Sequence, residues 1–213
     1  MTAMRVVAID GPSGSGKSTV ARAVATALGL DYLDTGAMYR SVAFACLRAG
    51  VDLADAEGVA RVAEQVTIEL DGSDVKVDGV DASVEIRGPE VTRAVSSVAA
   101  NALVRAEMVR RQREWIAAHG GGVVEGRDIG AVVWPDAQPK VYLTARLEVR
   151  AGRRHKEVEA LAYERVAADM VTRDTVDSTR EASPLTLAEG SVVIDTTDHS
   201  VEEVVEIVLG LVQ

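Results

Sequence analysis

Gly11, Gly16, Lys17 and Ser18 stand at the spacing G-x-x-x-x-G-K-[S/T], in the stretch GPSGSGKS that follows the apolar run at 4–10. Glycines so placed let successive backbone N–H groups turn inward around the oxygens of an anion. The N-terminus of a following helix adds the positive end of its dipole. The anion such a loop fits is phosphate. Lys17 then bridges the β- and γ-phosphates of a nucleoside triphosphate, and the Ser18 hydroxyl meets Mg²⁺ that the triphosphate carries, mostly through water. A Gly/Ser-rich turn before an ordinary helix is the plainer alternative. The strand-like run before the loop and the helical run after it favour the phosphate loop.

Four further stretches carry chemistry. DTGAMYR (34–40) offers Thr35 for a sugar hydroxyl and Arg40 for a second phosphate, against the alternative of a helix cap and a solvated arginine. EGRDIG (125–130) sets Arg127, an anion holder, beside Asp128, a hydrogen-bond acceptor, unless the two simply pair. RAGRR (150–154) and RDTVDSTR (173–180) bracket one helical stretch. The first supplies Arg150, Arg153 and Arg154; the second puts Arg173, Asp177 and Arg180 on one helix face. A surface ion pair is the default for such a face, but phosphoryl transfer spreads charge that arginines on a movable helix are suited to neutralise. Asp10 and Asp34, at the ends of the first two strands, face the same crevice, and either could order a metal-bound water or an acceptor proton. His119, His155 and His199 lack ligand spacing and are expected at the surface, without metal, whereas Cys46 in SVAFACL reads as a packed thiol.

These residues need a scaffold. RVVAI is continuously apolar, as a parallel strand covered on both faces requires. A helix over 17–28 stopped by Gly29, a short strand at 32–33, a helix to about Arg48 and a helix over 52–65 capped by Asp55 follow. The pattern then becomes short and alternating: VTIEL, DVKVDG and VDASVEI (66–86) predict an antiparallel meander. Helices at about 88–99 and 101–118 continue it, the second with Leu103, Met108, Trp115 and Ile116 inward and its arginines outward. Strands at 120–126, 140–145 and 191–197, a helix over 148–170, a loop at SPLTL and a closing helix over 201–212 complete the chain. Strand–helix alternation around such a loop predicts an α/β fold, a doubly wound parallel five-stranded sheet with ligands at the strands' carboxyl ends.

Composition limits the rest. At 213 residues with 47% apolar and 26% charged residues, one globular domain with a real core is expected, built mostly of aliphatic side chains because aromatics are only 3%. A net charge of −10 argues against nucleic acid or an anionic membrane as partner. One cysteine, no signal-like apolar core in residues 1–10 and no apolar run of membrane-spanning length predict a cytoplasmic protein.

Taken in order, GPSGSGKST, LDTGAMYR, the stretch from Ser96–Ser97 to Arg105, EGRDIG, RAGRR, RDTVDSTR followed by SPL, and VVIDTT make the chain resemble the bacterial cytidylate kinases from about residue 4 onward. The resemblance implies a nucleoside monophosphate kinase that moves the γ-phosphoryl group of ATP to CMP or dCMP, uses Mg²⁺ with ATP, and acts as a monomer. It implies a core (about 1–52, 119–148 and 172–213), an inserted monophosphate-binding part of antiparallel sheet plus helices (about 53–118) and a short helical lid (about 149–171). ATP is expected on Gly11, Pro12, Ser13, Gly14, Ser15, Gly16, Lys17, Ser18 and Thr19. The family's cytosine contacts fall on Ser96, Arg105 and Asp128, and its acceptor-phosphate contacts on Arg40 and Arg127. The pentose contacts fall on Asp177 with Arg173, while Arg180 reaches the phosphates and Thr35 sits where the family has Ser or Thr. Lys17, Arg127, Arg150, Arg153, Arg154 and Arg180 are the expected catalytic cations. Two departures stand out. The segment between RAGRR and RDTVD is a few residues short, without the usual Gly-containing turn near residue 160. Glu125 stands where many relatives have Asp, a change expected to matter little.

Two rivals oppose this reading. Another small-molecule kinase on the same core, of shikimate or uridylate type, would lack the meander and the Ser96, Arg105 and Asp128 set. A non-catalytic nucleotide-binding switch would be expected to read guanine with N-K-x-D, which this chain does not contain.

Overall fold

The structure is a computed structural model that describes residues 4–157, 162–179 and 185–212. It divides into two compact units, Met1–Tyr32 with Ile116–Gln213, and Leu33–Trp115. The first unit is built on β1 (Arg5–Asp10), α1 (Lys17–Leu28), β2 (Tyr32–Asp34, where the chain passes into the second unit), β6 (Gly121–Gly126), β7 (Lys140–Thr144), α6 (Leu147–Glu157), α7 (Tyr163–Thr179), β8 (Val192–Asp195) and α8 (Val201–Leu211). Their sheet has the order β2-β6-β1-β7-β8. The pairings of β1 with β6 and β7, and of β7 with β8, are parallel. The register Asp10↔Gly126 brings the carboxyl ends of β1 and β6 level, and β7, paired at Asp10↔Tyr142, runs two residues further in the same direction, so the segments leaving all three emerge at one edge of the sheet.

β1 and β6 lie near the middle of this sheet. Val6 to Asp10 and all six residues of β6 are buried, which accounts for their unalternating sequences. Val7, Ile9, Val123, Val141, Leu143 and Ile194 from the strands pack with Val20 and Val24 of α1 and Val204 and Val208 of α8. Fully burying each such side chain contributes ~1.5–3 kcal/mol before entropy is counted, and this core fixes the position of the phosphate loop between β1 and α1. The sequence places these five strands and α1 and α8 correctly. The stretch read as one helix over 148–170 is instead α6 and α7, and α7 continues through most of RDTVDST. The residues that separate the two helices include 158–161, and the predicted SPLTL loop includes 183 and 184; both groups lie outside the described residues.

The second unit carries α2 (Thr35–Ala49), α3 (Ala56–Gln65), a three-stranded antiparallel sheet of β3 (Ile68–Asp71), β4 (Asp74–Val77) and β5 (Val80–Asp81), α4 (Pro89–Ala100) and most of α5 (Ala102–Ala118). Asp55 caps α3 by accepting the Gly58 N–H at 2.9 Å. The meander is present but its last strand is short. Asp81 accepts from Ser83 N and Ser83 Oγ at 3.0 and 2.7 Å, which turns the chain into a 3₁₀ turn at Glu85–Arg87 that buries Ile86. The expected inward face of α5 holds for Met108 and Ile116, with Trp115 half-buried, but not for Leu103. Leu103 is 54% exposed, whereas Val104, Arg105, Met108, Gln112 and Ile116 are buried. Asn101 caps the N–H groups of Leu103 and Val104, and with that start an i, i+4 stripe through 104, 108, 112 and 116 turns inward. Arg105 therefore lies inside rather than in the outward row of arginines.

Candidate active site

The loop between β1 and α1 has the backbone that its glycines permit. Gly11 has φ 147° and a Cβ there would stand 2.1 Å from the Leu143 carbonyl oxygen; Gly14 has φ 73° and a Cβ would stand 2.9 Å from the Arg150 carbonyl oxygen. No larger residue fits either position. Lys17 opens α1 and is buried, its Nζ donating to the Pro12 carbonyl at 2.7 Å. Burial, and then the charge of Arg127, lower its pKa to about 7. Lysine held in that state is ready to regain full charge when an anion arrives.

At the end of β1, Asp10 accepts the N–H groups of Ile129 and Gly130, both at 2.9 Å. Burial raises its pKa to about 6. The sequence leaves Asp10 open to an ion or an acceptor proton; in the structure both its oxygens hold the start of the π-helical turn at Ile129–Val133 that follows Arg127 and Asp128. Asp34 is committed too, capping α2 through the Ala37 N–H at 2.9 Å with Arg87 at 3.4 Å. A carboxylate that the sequence did not offer for this role, Glu125, lies against Ser18, whose Oγ donates to its Oε2 at 3.0 Å. Its signal in the sequence is its place at the carboxyl end of β6, beside β1.

Arg127 does not pair with Asp128 in the way its neighbourhood allowed. Its Nε donates to Asp177 Oδ2 on α7 at 2.9 Å. Burial works against its charge, but Asp177, together with Asp174 and Glu125, more than offsets that and holds its pKa above the usual value. Arg173, one turn before Asp177, is pushed down to about 10 by burial and then by Arg127. Arg127, Arg173 and Asp177 thus share one polar cluster, with Asp128 buried at the start of the π-helical turn. Arg180 lies outside the described residues.

The arginines of α6 are tied to the loop itself. Arg150 donates to the carbonyls of Ala145 and Ser13, at 3.0 and 3.1 Å, and to Asp174. Asp174 also accepts the Ser13 N–H at 3.3 Å. Arg153 donates to the hydroxyl and carbonyl of Thr196 at 2.9 and 2.7 Å, and Thr196 Oγ1 donates on to the Ser15 carbonyl at 3.1 Å. Arg154 is half-buried on the same helix. Asp174 and Thr196 were not singled out from the sequence, although each sits within a quoted motif. His155 corrects the expectation of a surface histidine. It is half-buried, its ring lies edge-on to Tyr163 at 6.1 Å, and Nδ1 is shielded from solvent. His119 and His199 are exposed, and Cys46 is a buried free thiol.

In the second unit, Arg40 donates from Nη1 to the Ile86 carbonyl at 2.9 Å and to Thr92 Oγ1 at 3.0 Å. Ser96 is one turn further along α4 and half-buried. Arg105 is 3% exposed, with its guanidinium 5.5 Å from the centre of the Tyr39 ring. Thr35 is buried in the first turn of α2. The adjacent pair Tyr39–Arg40 on α2 thereby meets Arg105 and the start of α4, within one unit.

A profile of the cytidylate kinase family matches residues 7–213. The chain belongs to that family. The cytidylate kinase of Mycolicibacterium paratuberculosis is 50% identical over 216 residues, covering 98% of this chain and 95% of that protein. The cytidylate kinase of Caldanaerobacter subterraneus subsp. tengcongensis is 49% identical over 204 residues, covering 94% and 91%. In fold, the crystal structure of a gluconokinase from Sinorhizobium meliloti 1021 superposes with a TM-score of 0.52 at 16% identity, covering 100% of this chain and 93% of that one. The family match removes the switch reading and the shikimate- or uridylate-kinase reading. The resemblance drawn from the motifs holds. No helix among the described residues is long and apolar enough to cross a membrane.

Proposed function

We propose that the chain transfers the γ-phosphoryl group of ATP to CMP or dCMP, giving ADP and CDP or dCDP. The observation that carries this reading is a complete phosphate loop in a chain whose family match extends over residues 7–213. An oxygen of the acceptor phosphate attacks the γ-phosphorus; the bond to the β–γ bridging oxygen breaks and its electron pair leaves with ADP. No covalent enzyme intermediate is required, so positioning and charge neutralisation do the work. Lys17 holds the β- and γ-phosphates, with the loop N–H groups from Gly11 to Thr19 around them. Arg150, Arg153 and Arg154, on a lid at about 149–171, and Arg180 neutralise the charge that spreads in the transition state. Arg40 and Arg127 bind the acceptor phosphate, Asp177 and Arg173 the pentose with Thr35 near it, and Ser96, Arg105 and Asp128 the cytosine. The protein acts in the cytoplasm as a monomer, with neither nucleic acid nor membrane as partner.

The donor set suits Mg²⁺. Ser18 and Glu125 present hard oxygen ligands, and among the described residues no cluster of three or more His, Cys, Asp and Glu forms a cage of its own. That fits an ion held mainly by substrate phosphates and water. When bound, the metal ion neutralises β- and γ-phosphate charge. A steady-state acceptor panel with ATP and Mg²⁺ tests the whole reading: CMP and dCMP should exceed UMP, AMP and shikimate, and a preference for any of the last three contradicts it.

Two consequences are measurable. Asp177→Ala is expected to raise KM for CMP by ~10-fold or more, the scale of a lost hydrogen bond to a charged partner, and to alter KM for ATP much less. A larger effect on ATP would assign α7 to the donor site. The second concerns protons. Because Lys17 is lowered to about 7, it is mostly neutral at pH 8 and must recover its charge against bound phosphates. ADP binding at pH 8 should therefore take up a proton, seen in calorimetry as a dependence of the enthalpy on the buffer's ionisation heat. Lys17→Met should abolish that dependence; a buffer-independent enthalpy in the unmodified protein would contradict the assignment.

A further inference from the structure

Glu125 has both carboxylate oxygens engaged, each by a partner from a different element. Ser18 Oγ donates to Oε2 at 3.0 Å, while the hydroxyl of Tyr32, on β2, donates to Oε1. β2 flanks β6 on the side away from β1, so Glu125 of β6 is bonded to the first turn of α1 through Ser18 and to the outer strand β2 through Tyr32. The Tyr32 ring is itself placed, with the Arg22 guanidinium 5.8 Å from its centre, and Arg22 Nε donates to the Ser18 carbonyl at 3.2 Å. Ser18, Glu125, Tyr32 and Arg22 form a closed circuit within one unit. A glutamate side chain has three torsions to fix, and a carboxylate bonded at one oxygen alone can pivot. Two bonds on separate oxygens stop that rotation. A serine hydroxyl whose proton is given to Glu125 keeps its lone pairs for a cation.

We propose that Tyr32 is a positioning residue for phosphoryl transfer: its hydroxyl holds Glu125 so that one oxygen remains on Ser18, where the metal–nucleotide binds. The same geometry gives Glu125 its length. An aspartate at this position is one methylene shorter and cannot keep both Ser18 and Tyr32. The expectation that Glu rather than Asp at 125 is of little consequence is thereby replaced by a pairing of Glu125 with Tyr32. This inference rests on the reading of Ser18 and Glu125 as the metal–nucleotide side of the site.

The test uses Mn²⁺ as probe with the full chain. Binding of Mn²⁺·ADP is followed by water-proton relaxation, and binding of ADP in EDTA by calorimetry. Tyr32→Phe is expected to weaken Mn²⁺·ADP by ~10-fold, the low end for partners that orient a metal-side ligand, with metal-free ADP unchanged. The Mg²⁺ concentration for half-maximal velocity should rise by a similar factor while KM for CMP stays constant. Glu125→Asp should show the same loss, and adding Tyr32→Phe to it should cost nothing more. Glu125→Ala separates the two levels. If it leaves Mn²⁺·ADP affinity intact, the metal reading itself fails and the proposal falls with it. If Glu125→Ala weakens Mn²⁺·ADP but Tyr32→Phe does not, the metal reading stands and the positioning role is wrong. Equal weakening of ADP with and without metal in Tyr32→Phe would also overturn the proposal, since only the fold would then depend on the hydroxyl.

Discussion

Lys17→Met is expected to cut kcat by about 10²–10³-fold or more, the cost of removing one donor from developing charge in a dry site. Methionine keeps the unbranched length of the side chain and loses only the ammonium group. Lys17 is 7% exposed, and its ammonium group donates to the Pro12 carbonyl at 2.7 Å. Burial already works against its charge, so a neutral residue there should leave the folded state as stable as before or more so. Thermal unfolding separates the two effects, with an unchanged or higher Tm beside a collapsed turnover. KM for CMP should move little, because the interaction removed is with the donor. A folded variant with near-normal turnover would contradict the assignment of the phosphate loop.

Asp128→Asn is the second large expectation and concerns how the base is read. An ionised carboxylate only accepts hydrogen bonds, which suits the exocyclic amine of cytosine and repels the carbonyl that uracil carries there. Asparagine keeps the shape but adds a donor that faces either base after an amide flip. The preference for CMP over UMP, as a ratio of kcat/KM, is expected to narrow by ~10-fold or more, with kcat/KM for CMP lowered. Asp128 is 5% exposed, so the lost contact is not replaced freely by water. Arg105→Met should lower activity on both acceptors, since each base has ring acceptors that need a donor. If Asp128→Asn lowers both activities equally, Asp128 supports the turn at Ile129–Val133 instead. Selectivity would then lie with Ser96 and the start of α5.

Much of this was legible because backbone physics dominates where the sequence is most informative. The phosphate loop needs glycine at 11 and 14 for reasons of φ and of clearance from Leu143 and Arg150, and such needs leave a readable pattern. The central runs of β1 and β6, Val6–Ile9 and Gly121–Val124, carry no polar alternation because they are buried on both faces. Where tertiary partners decide, the sequence was silent or misleading. Nothing local shows that Asp10 and Asp34 accept the backbone N–H groups of Ile129, Gly130 and Ala37. Arg127 has Asp128 as its chain neighbour, yet its partner is Asp177, 50 residues on. Arg105 sits in a helix rich in arginines, and tertiary contacts such as the Tyr39 ring, with the cap at Asn101, set it apart from the exposed Arg110 and Arg113. Glu125 reads as a small change of length, and nothing local shows that its carboxylate accepts from Tyr32, a residue 93 positions earlier.

The central claim is that this chain moves a phosphoryl group from ATP to a cytidine monophosphate, and ³¹P NMR of the complete reaction tests it most directly. With ATP, Mg²⁺ and CMP, the γ-phosphate resonance of ATP should decay as the paired resonances of ADP and CDP grow together, with little inorganic phosphate, and ATP alone should be nearly stable. Release of inorganic phosphate with no CDP, or conversion of UMP at the same rate as CMP, would contradict it.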